Sequence, residues 1–520
     1  MMYTGCIWQF DDKQKQHNPV QRCLKLPRFL RLLRSLWVLQ QSCLQASTSP
    51  DREFSLQWQS MDALREALES ASAHAPKYTA PLGLSREGIF RIASSKDEPV
   101  WMTEKRLKAL EYLSNKPLPN FGPSLDGLDL TAISYFIQPN SKENRTWDDV
   151  PEEIRTTFEK LGIPESERHG LAGVGAQYDS EIVYHNLQKD LADQGVVFLN
   201  MDVAVREYSD LVEQYFMTSC VPIHDHYFAA LHAAVWSGGT FIYVPKNVKV
   251  TIPLQAYFRM NAERGGQFEH TLIIADEGSE THYIEGCSAP KYDSAALHAG
   301  CVEIHVKNGA TVRYTSIENW SKNTFNLNTK RALVDEDGSI IWVNGNMGSG
   351  VTMLYPMSVL RGARSKSDFL GVAFAGPGQN QDTGHKVVLV APMTSANVRS
   401  KTIAVGGGVS TYRGLVLATK GAQGSTVNVV CDTMMLDGES HAETIPIIDD
   451  AAPDCAITHE ATVGKIDDDQ LAYLATRGLN PEASRRAIVN GFFDPIVKEL
   501  PLEYAVEFLE LVNLEMEGSL

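Results

Sequence analysis

From Ser60 to about Gln194 apolar residues recur at helical spacing, as in MDALREALESA, EPVWMTEKRLKALEYL and DDVPEEIRTTFEKLG, and the Pro- and Gly-rich KPLPNFGPSLDG interrupts them. The pattern predicts a helical, loop-rich N-terminal cap over 60–194. A β-rich core is expected over 195–461, because after Gly239 the chain turns to short runs of Val, Ile, Tyr and Thr closed by Gly, Asn or Asp. Within it LIIADEGSETHYI, EIHVKNGATVRYTSI and ALVDEDGSIIWV each set an acidic or Asn-Gly turn between two strands. Their turn glycines, Gly278, Gly309 and Gly338, are about thirty residues apart. Stacked coils of a β-solenoid recur in this way, each coil burying its inner face only when a neighbour stacks on it. A sandwich of hairpins is the alternative. The segment 462–520 is helical again: DDDQLAYLATRG opens on acidic residues and ends at Gly478, Asn480 stands as N-cap before Pro481, and LPLEYAVEFLELVNLEME follows Pro501. Apolar residues on several faces of these helices predict docking to a partner as well as to the body of the chain.

Composition narrows the function. The 520 residues carry a net charge of -17, which excludes general affinity for nucleic acid, and no apolar run is long enough to span a membrane. Partners are therefore expected to be proteins or small molecules. The cysteines at 6, 23, 43, 220, 287, 301, 431 and 455 show no CxxC pairing, which fits a reducing compartment and excludes a zinc ribbon. Residues 1–59 form a basic extension without Asp or Glu between Lys13 and Pro50. It reads as a disordered leader or as sequence upstream of a start at Met61. A transit peptide is the alternative reading, and would move the expected location from the cytoplasm to an organellar stroma or matrix.

Two thiols stand out. Cys287, in YIEGCSAP, follows a glycine at the end of a strand or in a turn, where function tends to sit. Cys431, in STVNVVCDTMML, shares its strand face with Val427 and Val429, and His459 and Glu460 follow where the strand pattern gives way to helices. Thiolate, imidazole and carboxylate together can hold iron or zinc. His224 and His226, in IHDHYFAALH, invite a cupin-type metal enzyme, but the Ala-rich continuation reads as a helix opened by Asp225.

The ordered motifs GTFIYVPK, RMNAERGGQFEHTLIIADEGS, YIEGCSAP, the NW of IENWS, NTKRA, QDTGHK, STYRGLV, CDTMML, HEAT and NGFF resemble the SufB/SufD family of SUF-system iron–sulfur assembly proteins. The resemblance implies a right-handed parallel β-helix with helical caps. It also implies a scaffold rather than an enzyme, on which a nascent [2Fe-2S] or [4Fe-4S] cluster is built and passed to apo-proteins or carriers. By residue, it implies Cys287 as acceptor of persulfide sulfur from a cysteine desulfurase and its carrier. Arg259, Asn261, Glu318, Trp320 and Lys330 would line the sulfur path, Cys431 would receive the sulfur, and Cys431, His459 and Glu460 would hold the metal. Where the family often has glutamate, this chain has Thr458. Both thiols favour a SufB-like member over a SufD-like structural partner. The implied partners are a SufC-type ABC ATPase docked on 462–520, and SufD or a second copy of the chain, with reduced flavin a further cofactor of the complex. No GxxxxGK[ST] occurs, so ATP hydrolysis is left to the ATPase.

Overall fold

The expected turns close coils. Gly278 and Gly309 sit at φ +67° and +65°, where only glycine is unstrained, whereas in the third turn Asp337 at φ +55° takes the left-handed position one residue before Gly338. The computed structural model describes residues 75–499, apart from 142, 145–146, 153 and 156–170, together with 508–509, 511–513 and 516. The basic extension 1–59 and the predicted helix MDALREALESA lie outside the described residues.

The core is a parallel β-solenoid of about eight turns. On its first face Glu280 lies opposite Thr311, Thr311 opposite Ser339, Ser339 opposite Lys366, Lys366 opposite Ser395 and Ser395 opposite Thr426, all parallel. A second face runs from Thr240–Val244 through His270–Ala275, Cys301–Val306 and Thr329–Val334, and a third from Gly266–Gln267 through Ala296–His298 and Thr324–Asn326. These two faces merge in the long strand Val409–Ala418, which pairs with Asn380–Thr383 by one half and Lys386–Leu389 by the other.

Alternation along the first-face strands divides two apolar clusters. Tyr283, Tyr314, Trp342, Phe369, Val398 and Val429 point into the lumen. Their neighbours Ile284, Ile317, Val343, Leu370, Val372 and Ile403 point outward and are covered by Val489, Phe493, Phe508, Leu511, Val512 and Met516 of the C-terminal segment. A sheet buried on both faces reads as a continuous apolar run, as these strands do. The helix Pro481–Val497 starts as expected, with Ala483 N–H donating to Asn480 Oδ1 at 2.7 Å. One apolar side of the C-terminal segment is thus spent on the chain's own body.

The N-terminal cap departs from the helical reading. Helices Arg86–Lys96 and Val100–Leu113 form as expected, but Gly173–Tyr178 and Glu181–Leu187 make an antiparallel hairpin that extends the first face beside Leu254–Arg259. EIVYHNL lacks a helical apolar repeat and suits a strand. Conversely, helices Met201–Glu207, Ser209–Tyr215 and Tyr227–Val235 fall within the range expected to be solenoid and pack outside its second face. The N-cap of Tyr227–Val235 is His226, not Asp225: its ring accepts from Ala229 N–H, while Asp225 pairs with Arg331 at 2.5 Å. Among the described residues no helix is long and apolar enough to cross a membrane.

Phe493 is fully buried between the C-terminal helix and the first face. Phe493→Ala should cost about 3–5 kcal/mol of that docking. Hydrogen exchange should then quicken across 481–497 while the solenoid strands keep their protection, and uniform protection would show that the helix does not depend on this contact.

Candidate functional site

Cys287 lies near the end of strand Glu280–Ser288 and faces the lumen at 1% exposure, so it is not the exposed loop thiol its sequence neighbours suggest. Its position is set from both sides: Phe258 and Glu318 flank it in register on adjacent strands. The preceding glycine has a packing reason, because a Cβ on Gly286 would meet the Tyr257 ring at 2.5 Å. Two residues earlier on the same face, Glu285 accepts the Tyr314 hydroxyl at 2.8 Å, and the Cys287 thiol lies 3.9 Å from its Oε1.

The three faces contribute to one polar network beside this thiol. Lys330 Nζ donates to Glu318 Oε1 at 2.5 Å and Ser316 Oγ at 3.0 Å, and Asn326 donates to Glu318 Oε2 at 2.7 Å. Asn326 Oδ1 lies 2.9 Å from His298 Nδ1, and His298 Nε2 lies 2.5 Å from Glu269. Trp320 packs against the His298 ring at a 43° tilt, with centroids 4.1 Å apart. Burial disfavours charge on Glu318, yet Lys330 and His298 hold its carboxyl below the ordinary value; burial likewise works against Lys330, which Glu318 and Glu285 keep charged. Cys287 is pushed well up, first by burial and then by Glu285, Glu318 and Glu269, which outweigh Lys330. The resting thiol is therefore protonated.

From this coil a single inward row runs the length of the first face. Glu285 is in register with Ser316, Ser316 with Asn344, Asn344 with Gly371, Gly371 with Ser400 and Ser400 with Cys431. At about 4.8 Å per strand the row spans on the order of 24 Å. Neither amide atom of the buried Asn344 has a hydrogen-bond partner. At its far end Cys431 Sγ lies 3.3 Å from His459 Nε2 and accepts from Tyr412, and burial pushes the thiol up to about 12. Burial lowers His459, so its imidazole is neutral at pH 7 and free to ligate.

The structure therefore gathers Cys287, Glu318, Trp320 and Lys330 in one lumen cluster, and Cys431 with His459 at the last coils. It does not bring in the rest. Arg259 follows the inward Phe258, so it faces the opposite side, where it donates to Ser288 Oγ at 3.2 Å. Asn261 is buried just beyond the end of that strand, its backbone N–H bound to Asp179 at 2.6 Å. Glu460 pairs with Val430 and points away from the lumen, exposed, so the expected metal trio is a pair within this chain. Of the cupin-like histidines, His226 caps a helix and His224 packs on Tyr112 at 5.6 Å. Sequence reading missed Glu285, Glu269, His298 and Tyr412; Glu285 was detectable, since period two puts it on the face of Cys287.

Lys330 and Glu318 are both buried, so removing one partner strands the other charge. Lys330→Met should destabilise by about 3–5 kcal/mol, and Lys330→Met with Glu318→Gln should recover most of that in urea denaturation. A double-variant loss equal to the sum of the Lys330→Met and Glu318→Gln losses would mean the pair carries no coupling.

Residues 94–256 match the model of the SufBD protein N-terminal region, and 258–492 match that of the SUF system FeS cluster assembly SufBD core domain. Iron–sulfur cluster assembly SufBD family proteins of Staphylococcus saprophyticus, Staphylococcus epidermidis and Staphylococcus aureus are each 50% identical over 438 residues, covering 84% of this chain and 94% of theirs. With the solenoid, its helical ends and these matches over most of its length, the chain belongs to the SufBD family of iron–sulfur cluster assembly proteins.

Proposed function

We propose that this chain is a SufB-like scaffold, with the nascent cluster as its cargo, and that sulfur enters at Cys287 and is assembled at Cys431 and His459. The observation that carries this reading is the inward row from Glu285 to Cys431, small or polar at Ser316, Asn344, Gly371 and Ser400 between two lumen thiols. In the loading step the Cys287 proton passes to Glu285, 3.9 Å away. The thiolate attacks the outer sulfur of a donor persulfide, the donor's S–S bond breaks, the donor leaves as thiolate, and an S–S bond forms on Cys287 with no net oxidation. Turning that sulfur into sulfide takes two electrons, for which a reduced flavin is the donor this reading assigns. At the far end iron displaces the Cys431 proton and gains a soft thiolate with a neutral imidazole. Such a set holds a cluster less firmly than four thiolates and suits a protein that must release its product.

Partners follow from the same reading. The last strands, His441–Asp450 and Ala456–Lys465, are largely exposed edges with Ile447, Ile448 and Val463 uncovered, which suits pairing with SufD or a second copy. Glu460, on the outer side of that edge, would then act only across the junction. The SufC-type ATPase is assigned to the uncovered side of the C-terminal helices, where Tyr473 and Leu479 are exposed.

Cys287→Ser should abolish loading from a persulfide donor while sparing anaerobic reconstitution with free sulfide. Cys431→Ala should lower retained iron and acid-labile sulfide at least tenfold at unchanged circular dichroism, and Glu460→Ala in the isolated chain should leave both near wild type. Wild-type iron and sulfide in folded Cys431→Ala would sink this assignment and place the cluster on other ligands, whereas a wild-type chain that retains neither after reconstitution would point to a cluster-free, SufD-like role.

For the ATPase, Tyr473→Asp should cut co-purification several-fold without altering the melting curve. Undiminished co-purification would place the dock elsewhere.

A further inference from the structure

Outside the lumen, the second face carries a second cluster of ligand-type side chains beneath the helical cap. His270 and Cys301 are in register on neighbouring strands, both pointing outward, and His232 descends onto them from helix Tyr227–Val235. The three are fully buried, and their ligand atoms lie within 4.8 Å of one another. Phe216 lies 4.0 Å from the His270 ring and Trp236 6.1 Å, which keeps the place dry.

The outer nitrogen of His232 is occupied, and that of His270 faces a carboxyl group without a hydrogen bond. His232 Nδ1 lies 2.9 Å from the Ala299 carbonyl oxygen, which only accepts, so this nitrogen carries the proton and Nε2 is left with a lone pair. His270 Nε2 lies 3.3 Å from Glu303 Oε2, whose carboxylate is fixed by Met217 N–H at 2.6 Å and Val221 N–H at 2.8 Å. The inner nitrogens, His232 Nε2 and His270 Nδ1, face each other at 3.0 Å. Burial raises Glu303 against the pull of His305 and the two backbone N–H groups; with its carboxyl ionised and both rings neutral, this chain is one positive charge short. If His270 donates its single proton inward, its other lone pair meets the Glu303 carboxylate; if it donates outward, two lone pairs meet. A cation between the inner nitrogens resolves both contacts, leaving His270 Nε2–H to Glu303 and His232 Nδ1–H to Ala299. Imidazoles held outside by a carboxylate and a carbonyl are the surroundings of a metal-bound histidine pair.

We infer that His232, His270 and Cys301 bind one borderline divalent ion of the Zn2+ class, with Glu303 as the positioning carboxylate. Two imidazoles and a thiolate supply three ligands and leave a fourth position for a small ligand. Burial holds both imidazoles below their ordinary value, and neutral imidazole is the ligating form. The neighbouring Cys220, Glu303 and His305 group is less suited, because Cys220 Sγ lies 3.3 Å from the Arg331 carbonyl oxygen and Glu303 already accepts two backbone N–H groups.

The test uses the full chain carrying Cys287→Ser and Cys431→Ala, stripped of metal and titrated anaerobically with Co2+, then competed with Zn2+. Expected are one ion per chain, tetrahedral d–d bands with a thiolate-to-cobalt charge-transfer band, their loss on adding Zn2+, and a raised melting temperature. Cys301→Ser and His232→Gln should each abolish the charge-transfer band or weaken binding at least tenfold, and Glu303→Gln should weaken it by about tenfold to a hundredfold. The parent protein decides the matter even where a variant fails to fold. Absence of stoichiometric Co2+ in the parent would overturn the site, leaving a proton as the missing charge, and so would a charge-transfer band surviving in folded Cys301→Ser.

Discussion

Register is the constraint on which the rest depends. Because side chains alternate along a strand, a slip of one residue between coils would turn Cys287, Glu285, Lys330 and Cys431 out of the lumen and bring the apolar outer row in. The chain holds register by burying both faces of the first sheet in different company. The lumen row packs on the other two faces, while the outer row takes Phe493 and Phe508. Neither row can exchange with the other at low cost. The polar lumen is therefore a place the fold specifies, and not one it merely tolerates.

That specification is costly in electrostatic terms. Glu285, Glu318, Lys330, His298 and Glu269 are all out of water, and the arrangement stands because every carboxylate oxygen except Glu269 Oε2 has a donor. The same burial keeps Cys287 and Cys431 protonated at rest, which makes both thiols slow toward chance oxidants. On the function proposed above, reactivity would wait for a persulfide donor at one thiol and a metal ion at the other.

How much of this could be read beforehand depended on parity and on distance along the chain. The solenoid was legible from the turn recurrence around Gly278 and Gly309, since each coil repeats the same demand on its turn. Cys287, Glu318 and Lys330 were legible as a group through the family motifs, and the structure brings them together. Arg259 and Glu460 were not, because each stands one residue away from an inward position, at Phe258 and His459, and motif matching is blind to which side of a strand a residue takes. The hairpin Gly173–Tyr178/Glu181–Leu187 was hidden in a segment whose flanks are helical. His232 and His270 come from a helix and a strand that meet only in three dimensions, so no local spacing could pair them.

The two ends of the solenoid are not alike. At the start, strands that run antiparallel to the stack, Glu181–Leu187 on the first face and Val197–Asn200 on the second, occupy the edges where another coil would sit. At the finish, no strand among the described residues pairs beyond His441–Asp450 or Ala456–Lys465. A stack with one adhesive terminus and one blunt one cannot polymerise: joining two open ends consumes both, so growth stops at a pair. The reversed strands blunt one end of the stack, so pairing at the other end, as proposed above, would close the assembly at two and give no fibre.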